Sequence, residues 1–429
     1  MAIRNITQSE LALITGKPTV TIPAPQWPQA GDLEVAWMEG VVRSGQWSWY
    51  GQHEREFSAE FAGFCGAKYC MLMSNGTVTI QCALQGVGVK PGDEVIVPGL
   101  TWCATAQAAL DIGANVVLVD IDPETYCIDP KAVEAAITEK TKAIVPVHLY
   151  GCMCDMDAII DIARRCNLKV VEDVAHQHGG VWRLTTPEGT VNKVAGAIGD
   201  AGSFSFQQSK ALTCGEGGAV ICSDDEVYNV IHCLKHVGWL PDRATPGNHY
   251  GHNYRGTEMQ AVLLRGGLRR LREHLPQRDE AAAYLAAELE KMGGPLRAAK
   301  RDPRVVRQSY YAMTLHFDAS KTGGLTRDQY ARALWAEGYP FGGTYWPVYK
   351  APLLNLYDWT SPIPYRDQKA VQNYAELNLP VTERVCSEEG VCLSHVHLLG
   401  SREYLEQLVA AIRKVNDRLD QVKAYFDKK

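Results

Sequence analysis

Short apolar segments alternate with segments of helical spacing through the first part of the chain. The apolar segments, all of strand length, are 69–73, 94–98, 116–120, 142–148 and 168–173. The helical stretches that separate them are 77–87, a segment opening at 101–106, 131–138 and 156–166. Strands that alternate with helices pair in parallel, because each crossover helix returns the chain to the same edge of the sheet. The pattern therefore predicts an α/β fold with a doubly wound, mostly parallel sheet.

The length and a change of pattern near residue 275 predict two domains. A chain of 429 residues is too long for one compact core, since domains usually hold about 100–200 residues. After a helix that ends near 275, the pattern becomes a separate helix at 278–292, a strand at 310–317 and helices at 326–337 and 402–418. We predict a proline-rich N-terminal arm at 1–30, a large domain at 31–275 and a smaller C-terminal α+β domain at 276–429.

The composition argues against several classes of protein. Lysine and arginine number 43 against 49 acidic residues, a net charge of −6 with no basic run, which disfavours a nucleic-acid surface. No apolar run approaches the about 18 residues that span a membrane, and the N-terminus lacks the core of a signal peptide, so we expect a cytoplasmic protein. We expect the 13 cysteines to be reduced, and Cys152 and Cys154 lack a second pair at zinc spacing, which predicts no metal site.

Lys210 stands between an aromatic strand and a glycine-rich turn. Phe204 and Phe206 alternate with serines before it, and glycines follow at 215, 217 and 218. Burial would lower the pKa of such a lysine, and a neutral amine attacks an aldehyde to form a Schiff base. An ordinary surface lysine after an edge strand would give the same local pattern.

Asp173 ends another predicted strand. In an open α/β sheet the carboxyl ends of the strands line the ligand crevice, so Asp173 and Lys210 are expected at the same edge. Pyridoxal phosphate requires a lysine that holds it covalently and a carboxylate that keeps its ring nitrogen protonated. The alternative role for Asp173 is the N-cap of a following helix.

Two motifs together resemble a known family. Glu-Asp-x-Ala-His-x-His-Gly at 172–179 and Phe-Ser-Phe-x-x-x-Lys-x-Leu-Thr-x-Gly-Glu-Gly-Gly at 204–218 are similar to those of the DegT-type sugar aminotransferases, which are fold-type I pyridoxal phosphate enzymes. The resemblance covers about residues 25 to 420. It implies a seven-stranded, mostly parallel sheet with helices on both faces, a smaller C-terminal α+β domain, and a homodimer with composite active sites. Dehydratase relatives carry histidine in place of the lysine, so Lys210 favours an aminotransferase.

The resemblance also implies the role of each cofactor-binding residue. Lys210 would carry the cofactor and shuttle the proton, Asp173 would pair with the ring nitrogen, and His176 would lie beside the ring's phenolic oxygen. The remaining expected contacts are Trp102 stacked on the ring, Gly76, Thr77 and Ser205 on the phosphate, and Asn253 on the phosphate from the partner subunit. From the residues alone, Trp102 could be a core residue, Ser74 or Asn75 could merely cap the helix from 77, and Asn253 could be an N-cap.

Aromatic loops indicate the substrate. Trp47, Tyr50 and Tyr345 lie in loops at 46–54 and 340–350 that carry few charges, and aromatic walls suit an uncharged polyol ring. They could instead pack a domain junction. Segments 101–106, 125–130 and 207–208 resemble the glutamine-dependent scyllo-inosose aminotransferases of aminocyclitol antibiotic pathways. We therefore expect amino transfer from L-glutamine to a keto-cyclitol. The alternatives are a nucleotide-linked keto-sugar aminotransferase and an enzyme like 3-amino-5-hydroxybenzoate synthase.

Overall fold

The computed structural model describes residues 10–242, 244–352 and 372–428. Its strands, in chain order, are β1 (Tyr69–Met73), β2 (Glu94–Pro98), β3 (Asn115–Val119), β4 (Thr141–Ile144), β5 (Lys169–Asp173), β6 (Val181–Thr186), β7 (Gly189–Val194), β8 (Ala201–Ser205), β9 (Gly218–Cys222), β10 (Leu296–Ala298), β11 (Val305–Arg307), β12 (Ala312–Phe317), β13 (Phe341–Gly343) and β14 (Gly390–Ser394). Its α-helices are α1 (Ala12–Thr15), α2 (Asp32–Ser44), α3 (Gln52–Cys65), α4 (Gly76–Gly86), α5 (Ala104–Asp111), α6 (Pro130–Ala136), α7 (Met156–Cys166), α8 (Asp225–Lys235), α9 (Glu258–Met292), α10 (Arg327–Ala336), α11 (Pro380–Arg384), α12 (Arg402–Asn416) and α13 (Leu419–Asp427).

Seven strands form the central sheet in the order β1-β9-β8-β5-β4-β2-β3. Strand β9 runs antiparallel to both of its neighbours, and the other pairings in this sheet are parallel. Because β5 and β8 are paired in parallel with Asp173 opposite Ser203, the chain leaves both strands at the same edge. The predicted seven-stranded, mostly parallel sheet is confirmed.

Alternate residues of each central strand enter different apolar clusters. Ile96 of β2 packs in one cluster with side chains of α3, α7 and α9. Its neighbours Val95 and Val97 pack in a second cluster with side chains of α4, α5 and α8. A strand buried on both faces needs apolar residues at every position, which explains the continuous apolar runs in the sequence. The sheet is therefore covered by helices on both faces.

The C-terminal part is built around a second sheet. Strands β10, β12, β14 and β13 pair antiparallel in that order, and the structure adds a three-stranded sheet β11-β6-β7 that the sequence pattern did not predict. A third apolar cluster joins this sheet to α10 and α12. It also contains Leu11 of the N-terminal segment, which is fully buried.

A buried glutamate of the C-terminal part holds the N-terminal segment. Lys414 Nζ lies 2.9 Å from Glu337 Oε2, and both side chains are almost inaccessible. The same Glu337 carboxylate accepts hydrogen bonds from the backbone N–H groups of Ala12 and Thr19. These hydrogen-bond donors, together with the Lys414 ammonium group, offset the free-energy cost of burying the charge of the carboxylate.

The predicted break between two helices at 275–278 is wrong. Helix α9 continues through Pro276 as one element of 35 residues. Proline removes one helical hydrogen bond, but Leu271 and Leu275 before it and Ala281 and Leu285 after it are all buried. Packing of this continuous apolar face outweighs the local cost of the proline. The domain boundary at 275/276 stays a prediction, and it falls inside this helix.

All 13 cysteines lie in the described residues and none forms a disulfide. Most are buried, and burial raises the pKa of the Cys82 and Cys214 thiols to about 12. None of the described helices has the length and apolar character needed to cross a membrane.

Candidate active site

A cavity of about 390 Å³ opens where the chain leaves β1, β5 and β8. The predicted site residues that line it are Gly76, Thr77, Trp102, Asp173, His176, Ser205, Lys210 and Tyr345. They come from segments as distant as residues 76 and 345, and the parallel strands bring them to one edge of the sheet.

Lys210 lies in the loop between β8 and β9 and is almost buried, with 9% of its surface exposed. Its Nζ lies 4.4 Å from the centroid of the Tyr311 ring. Burial lowers the pKa of Lys210 to about 8, and the carboxylate of Asp173 partly opposes that shift. The alternative of an ordinary surface lysine is therefore wrong, and the amine is partly neutral near physiological pH.

Asp173 is the last residue of β5, and both of its carboxylate oxygens accept hydrogen bonds. Thr105 Oγ1 donates to Oδ2 at 2.8 Å, and the backbone N–H of Ala175 donates to Oδ1 at 3.1 Å. Burial raises the pKa of Asp173, whereas these two donors and the positive charge of Lys210 lower it. The side chain is a fixed acceptor that faces the same cavity as the lysine.

The N-terminus of α4 forms one wall of the cavity. The Asn75 side chain accepts hydrogen bonds from the backbone N–H groups of Thr77 and Val78, so Asn75 is the N-cap, as one alternative held. A Cβ on Gly76 would lie 2.7 Å from the Cβ of Ser205, so only glycine fits at this close approach. Gly76 and Thr77 are the first residues of α4 and Ser205 lies beside them, an arrangement that suits an anion.

His176 is held by three neighbours. Its ring stacks on Tyr311 with centroids 3.9 Å apart, and its Nδ1 accepts a hydrogen bond from the backbone N–H of Tyr150. Its Nε2 lies 3.3 Å from Tyr345 Oη. Burial lowers the pKa of His176 well below its usual value, so the ring is neutral and Nε2 carries the proton. His176 therefore presents a fixed donor beside the cavity.

Trp102 lies at the mouth of the cavity rather than in the core. It is 58% exposed, and its ring centroid lies 5.4 Å from that of Tyr345. The structure excludes the core alternative for Trp102 and leaves its face accessible to a planar ligand.

The remaining predicted residues lie away from this cavity. Tyr50 Oη lies 2.9 Å from His232 Nε2, and the backbone N–H of Glu258 donates to the carbonyl of Trp47. Asn253 is exposed and pairs through its backbone with His236. A contact of these three residues with the cofactor or the substrate stays a prediction, because it requires a second subunit.

Residues 28–413 match the family model of the DegT/DnrJ/EryC1/StrS aminotransferases. The chain belongs to this family. It is 38% identical to a Micromonospora echinospora protein provisionally named L-glutamine:3-amino-2,3-dideoxy-scyllo-inosose aminotransferase, over 96% of this chain and 99% of that protein. It is 36% identical to the L-glutamine:scyllo-inosose aminotransferase of Streptomyces griseus, over 96% and 99%. The solved structure of 3-amino-5-hydroxybenzoic acid (AHBA) synthase superposes with a TM-score of 0.80 at 32% identity, over 92% and 99%.

The family member described here is a pyridoxal phosphate-dependent aminotransferase, and its cavity fits that cofactor. The N-terminus of α4 suits the phosphate, because Gly76 has no side chain to fill the space beside Ser205. A buried amine of lowered pKa and a buried carboxylate line the same cavity, and the cofactor needs both groups. Lys210, Asp173, His176, Gly76, Thr77 and Ser205 are the residues that would hold it.

Two residues of the aminotransferase site were missed by sequence reasoning. Thr105, which donates to Asp173, lies in the same short segment as Trp102, but nothing in its position singles out its hydroxyl. Tyr311 precedes β12, and its ring contacts both Lys210 and His176. Two adjacent tyrosines at the start of a predicted strand were the available signal. Only the packing of the C-terminal part against the large domain brings Tyr311 to the lysine.

Proposed function

We propose that this aminotransferase moves an amino group from L-glutamine to a keto-cyclitol of the scyllo-inosose or 2-deoxy-scyllo-inosose type in aminocyclitol antibiotic biosynthesis. The names of its relatives support this substrate class, because the Streptomyces griseus relative is an L-glutamine:scyllo-inosose aminotransferase. A relative from Streptoalloteichus tenebrarius, 35% identical, is an L-glutamine:2-deoxy-scyllo-inosose aminotransferase.

The charge of the cavity is the observation that carries the proposal. Among the described residues that line it, Lys210 is the sole lysine or arginine, and the amine of Lys210 is needed for the cofactor. A nucleotide-linked sugar brings a diphosphate that favours basic partners. Tyr311, Tyr345 and Trp102 offer ring faces and hydroxyls instead, which suit the C–H surfaces and hydroxyls of an uncharged cyclitol.

The residues of the cavity divide the chemical work. Pyridoxal phosphate, when bound, stabilises the negative charge that develops at the carbon losing a proton. Lys210 would hold the cofactor until the donor amine displaces its Nζ. The freed amine would then carry the proton from the donor's α-carbon to the cofactor and, in the second half-reaction, from the cofactor to the acceptor carbon. Asp173 would keep a proton on the ring nitrogen, and His176, whose Nε2 lies 3.3 Å from Tyr345 Oη, would lie beside the phenolic oxygen. The N-terminus of α4 and Ser205 would bind the phosphate.

We also propose a cytoplasmic homodimer with composite sites. Thirteen unpaired cysteines favour a reducing compartment. The loop that holds Trp47 and Tyr50 is joined to the segment of Asn253, because Ser48 pairs with Thr257 through the backbone. These three residues therefore lie on one connected unit outside the cavity of their own subunit. In the dimer this unit would complete the partner's site, with Asn253 on the phosphate and the two aromatic residues beside the substrate.

A substrate panel tests the proposal. Purified enzyme is incubated with L-glutamine and with free keto-cyclitols, nucleotide-linked keto-sugars or the 3-amino-5-hydroxybenzoate precursor, and the aminated products are identified by mass spectrometry. We expect the highest kcat/KM with scyllo-inosose or its 2-deoxy form. A nucleotide-linked keto-sugar that reacts far faster than any free keto-cyclitol would contradict the substrate and leave the aminotransferase identity intact.

A further inference from the structure

Two side chains from distant parts of the chain hold the peptide that leads to Lys210. Trp27 of the N-terminal segment donates its indole N–H to the carbonyl of Gln208 at 3.1 Å. His395, which follows β14, has its Nε2 2.9 Å from the carbonyl of Ser209. Successive carbonyls directly before the lysine are therefore bound by different parts of the molecule.

Arg278 fixes which ring nitrogen of His395 carries the proton. Its Nη2 donates to His395 Nδ1 at 3.0 Å, so the neutral ring carries its hydrogen on Nε2, where it donates to Ser209. The guanidinium is fully buried and lies 5.4 Å from the centroid of the Trp27 ring. Its Nε and Nη1 have no hydrogen-bond partner among the described residues. The bond to His395 is therefore the one directed hydrogen bond that Arg278 makes among the described residues. Because a buried charge with so few partners is costly, loss of this bond would leave the guanidinium without a directed partner.

His395 also binds Tyr311, the residue whose ring contacts the Lys210 amine. Its backbone N–H donates to the carbonyl of Tyr311 at 3.0 Å, and the ring of Tyr311 lies against Lys210 Nζ. One residue thus binds both the peptide that carries Lys210 and the residue that its amine contacts. A displacement of His395 would change the direction of the Nζ atom toward its reaction partners.

We propose that Trp27, Arg278 and His395 are positioning residues that fix Lys210 for proton transfer, an inference that rests on the proposed role of Lys210. These residues lie in the N-terminal segment, in α9 and after β14, so the orientation of Lys210 depends on packing between the C-terminal part and the large domain. The other titratable groups near His395 are Tyr311, whose ring centroid lies 6.3 Å from that of His395, and the two histidines His178 and His397. Burial lowers the pKa of these two histidine rings to about 3 and about 4. Arg278 is therefore the charged neighbour of His395.

Variants of His395 in the holoenzyme separate positioning from mere packing. His395→Phe keeps a ring but loses both side-chain hydrogen bonds, whereas His395→Gln can still donate to Ser209 and accept from Arg278. We expect kcat of the Phe variant to fall by on the order of 10²-fold, as for a misplaced reacting group, with KM for L-glutamine nearly unchanged. The Gln variant should recover most of the lost kcat.

A second readout does not depend on turnover. The visible absorbance of the bound cofactor is titrated with pH, because it reports the surroundings of the amine that holds it. His395→Phe should move the midpoint by about half a pH unit or more, and His395→Gln should restore it. The matched control is His397→Phe, since His397 Nδ1 lies 2.8 Å from Tyr404 Oη and the His397 ring forms no hydrogen bond with residues 208–210. This control should lower the thermal midpoint but leave kcat and the titration unchanged.

Equal losses in His395→Phe and His397→Phe, or wild-type kcat and titration in His395→Phe, would overturn the proposal. If His395→Phe does not fold, Trp27→Phe decides, because it removes just the indole N–H and keeps an aromatic ring near Arg278. We expect a several-fold lower kcat and a shifted titration for Trp27→Phe, and wild-type values would overturn the positioning role. Lys210→Ala tests the underlying function separately, since retained turnover there would refute the role of Lys210 itself.

Discussion

Asp173→Asn should make Lys210 a faster nucleophile toward free pyridoxal phosphate. Burial places the pKa of Lys210 at about 8 instead of 10.5, and the Asp173 carboxylate keeps it from falling further. At pH 7 an amine with a pKa of about 8 is neutral in about 9% of molecules, against about 0.03% for an ordinary lysine. Removing the carboxylate raises the neutral fraction, and the gain at pH 7 cannot exceed about elevenfold because the fraction then reaches one.

The assay follows capture of the cofactor by cofactor-free protein. The initial rate at which bound-cofactor absorbance appears is measured from pH 6 to 11. Each rate is divided by the rate at which the free cofactor reacts with a simple amine at the same pH, so that the titration of the cofactor itself cancels. The neutral fraction of Lys210 derived from these rates should be half-maximal near pH 8 in the wild type and at a lower pH in Asp173→Asn. Glu216→Gln is the matched control, because Glu216 lines the same cavity but is not among the groups that shift the pKa of Lys210.

Three results would contradict this reasoning. A neutral fraction that still rises toward pH 10 in the wild type would mean that Lys210 titrates as an exposed lysine. A midpoint in Asp173→Asn above that of the wild type would mean that the carboxylate does not stabilise the charged amine. A shift of equal size in Glu216→Gln would show that the effect of net charge is not specific to Asp173.

Three further predictions follow from the same site. The pKa of Lys210 is about 8 in the folded chain and 10.5 in the unfolded chain, so its charge begins to cost stability as the pH falls below about 10.5, and the cost is complete below about pH 8. Lys210→Met should therefore stabilise the cofactor-free protein by about 3 kcal/mol at pH 7 and by almost nothing above pH 11, as measured by urea unfolding. Thr105→Val should lower kcat by about tenfold or more, whereas Thr105→Ser should retain it, because a hydrogen bond to a charged group contributes about 1.5–3 kcal/mol. Lys210→Ala and Asn253→Ala, each inactive alone, should regain activity when their subunits exchange, and no recovery despite proven exchange would place both residues in one subunit's site.

Local patterns predicted the strands of the central sheet and the helices between them, because each follows from a short segment of sequence. They did not predict β6 and β7, and they could not give the pairing of β1 with the distant β9. Lys210 and Asp173 could be predicted because each ends or follows a strand, and parallel strands present such residues at one edge. Tyr311 and Thr105 could not be assigned, since their roles depend on contacts between distant segments. Pro276 misled the prediction because local propensity cannot register the buried contacts on both of its sides.

Helix α9 mechanically joins the two parts of the molecule. At about 1.5 Å per residue its 35 residues extend for about 52 Å, from the segment after Asn253 to the core of the C-terminal part. Because α9 is one continuous helix, a tilt of its N-terminal end would displace the C-terminal part that packs on its other end. Pro276 has no N–H to donate to the carbonyl of Arg272, so the helix has one backbone hydrogen bond fewer at this turn. The Arg278 side chain, which is hydrogen-bonded to His395, lies just two residues beyond this weakened turn.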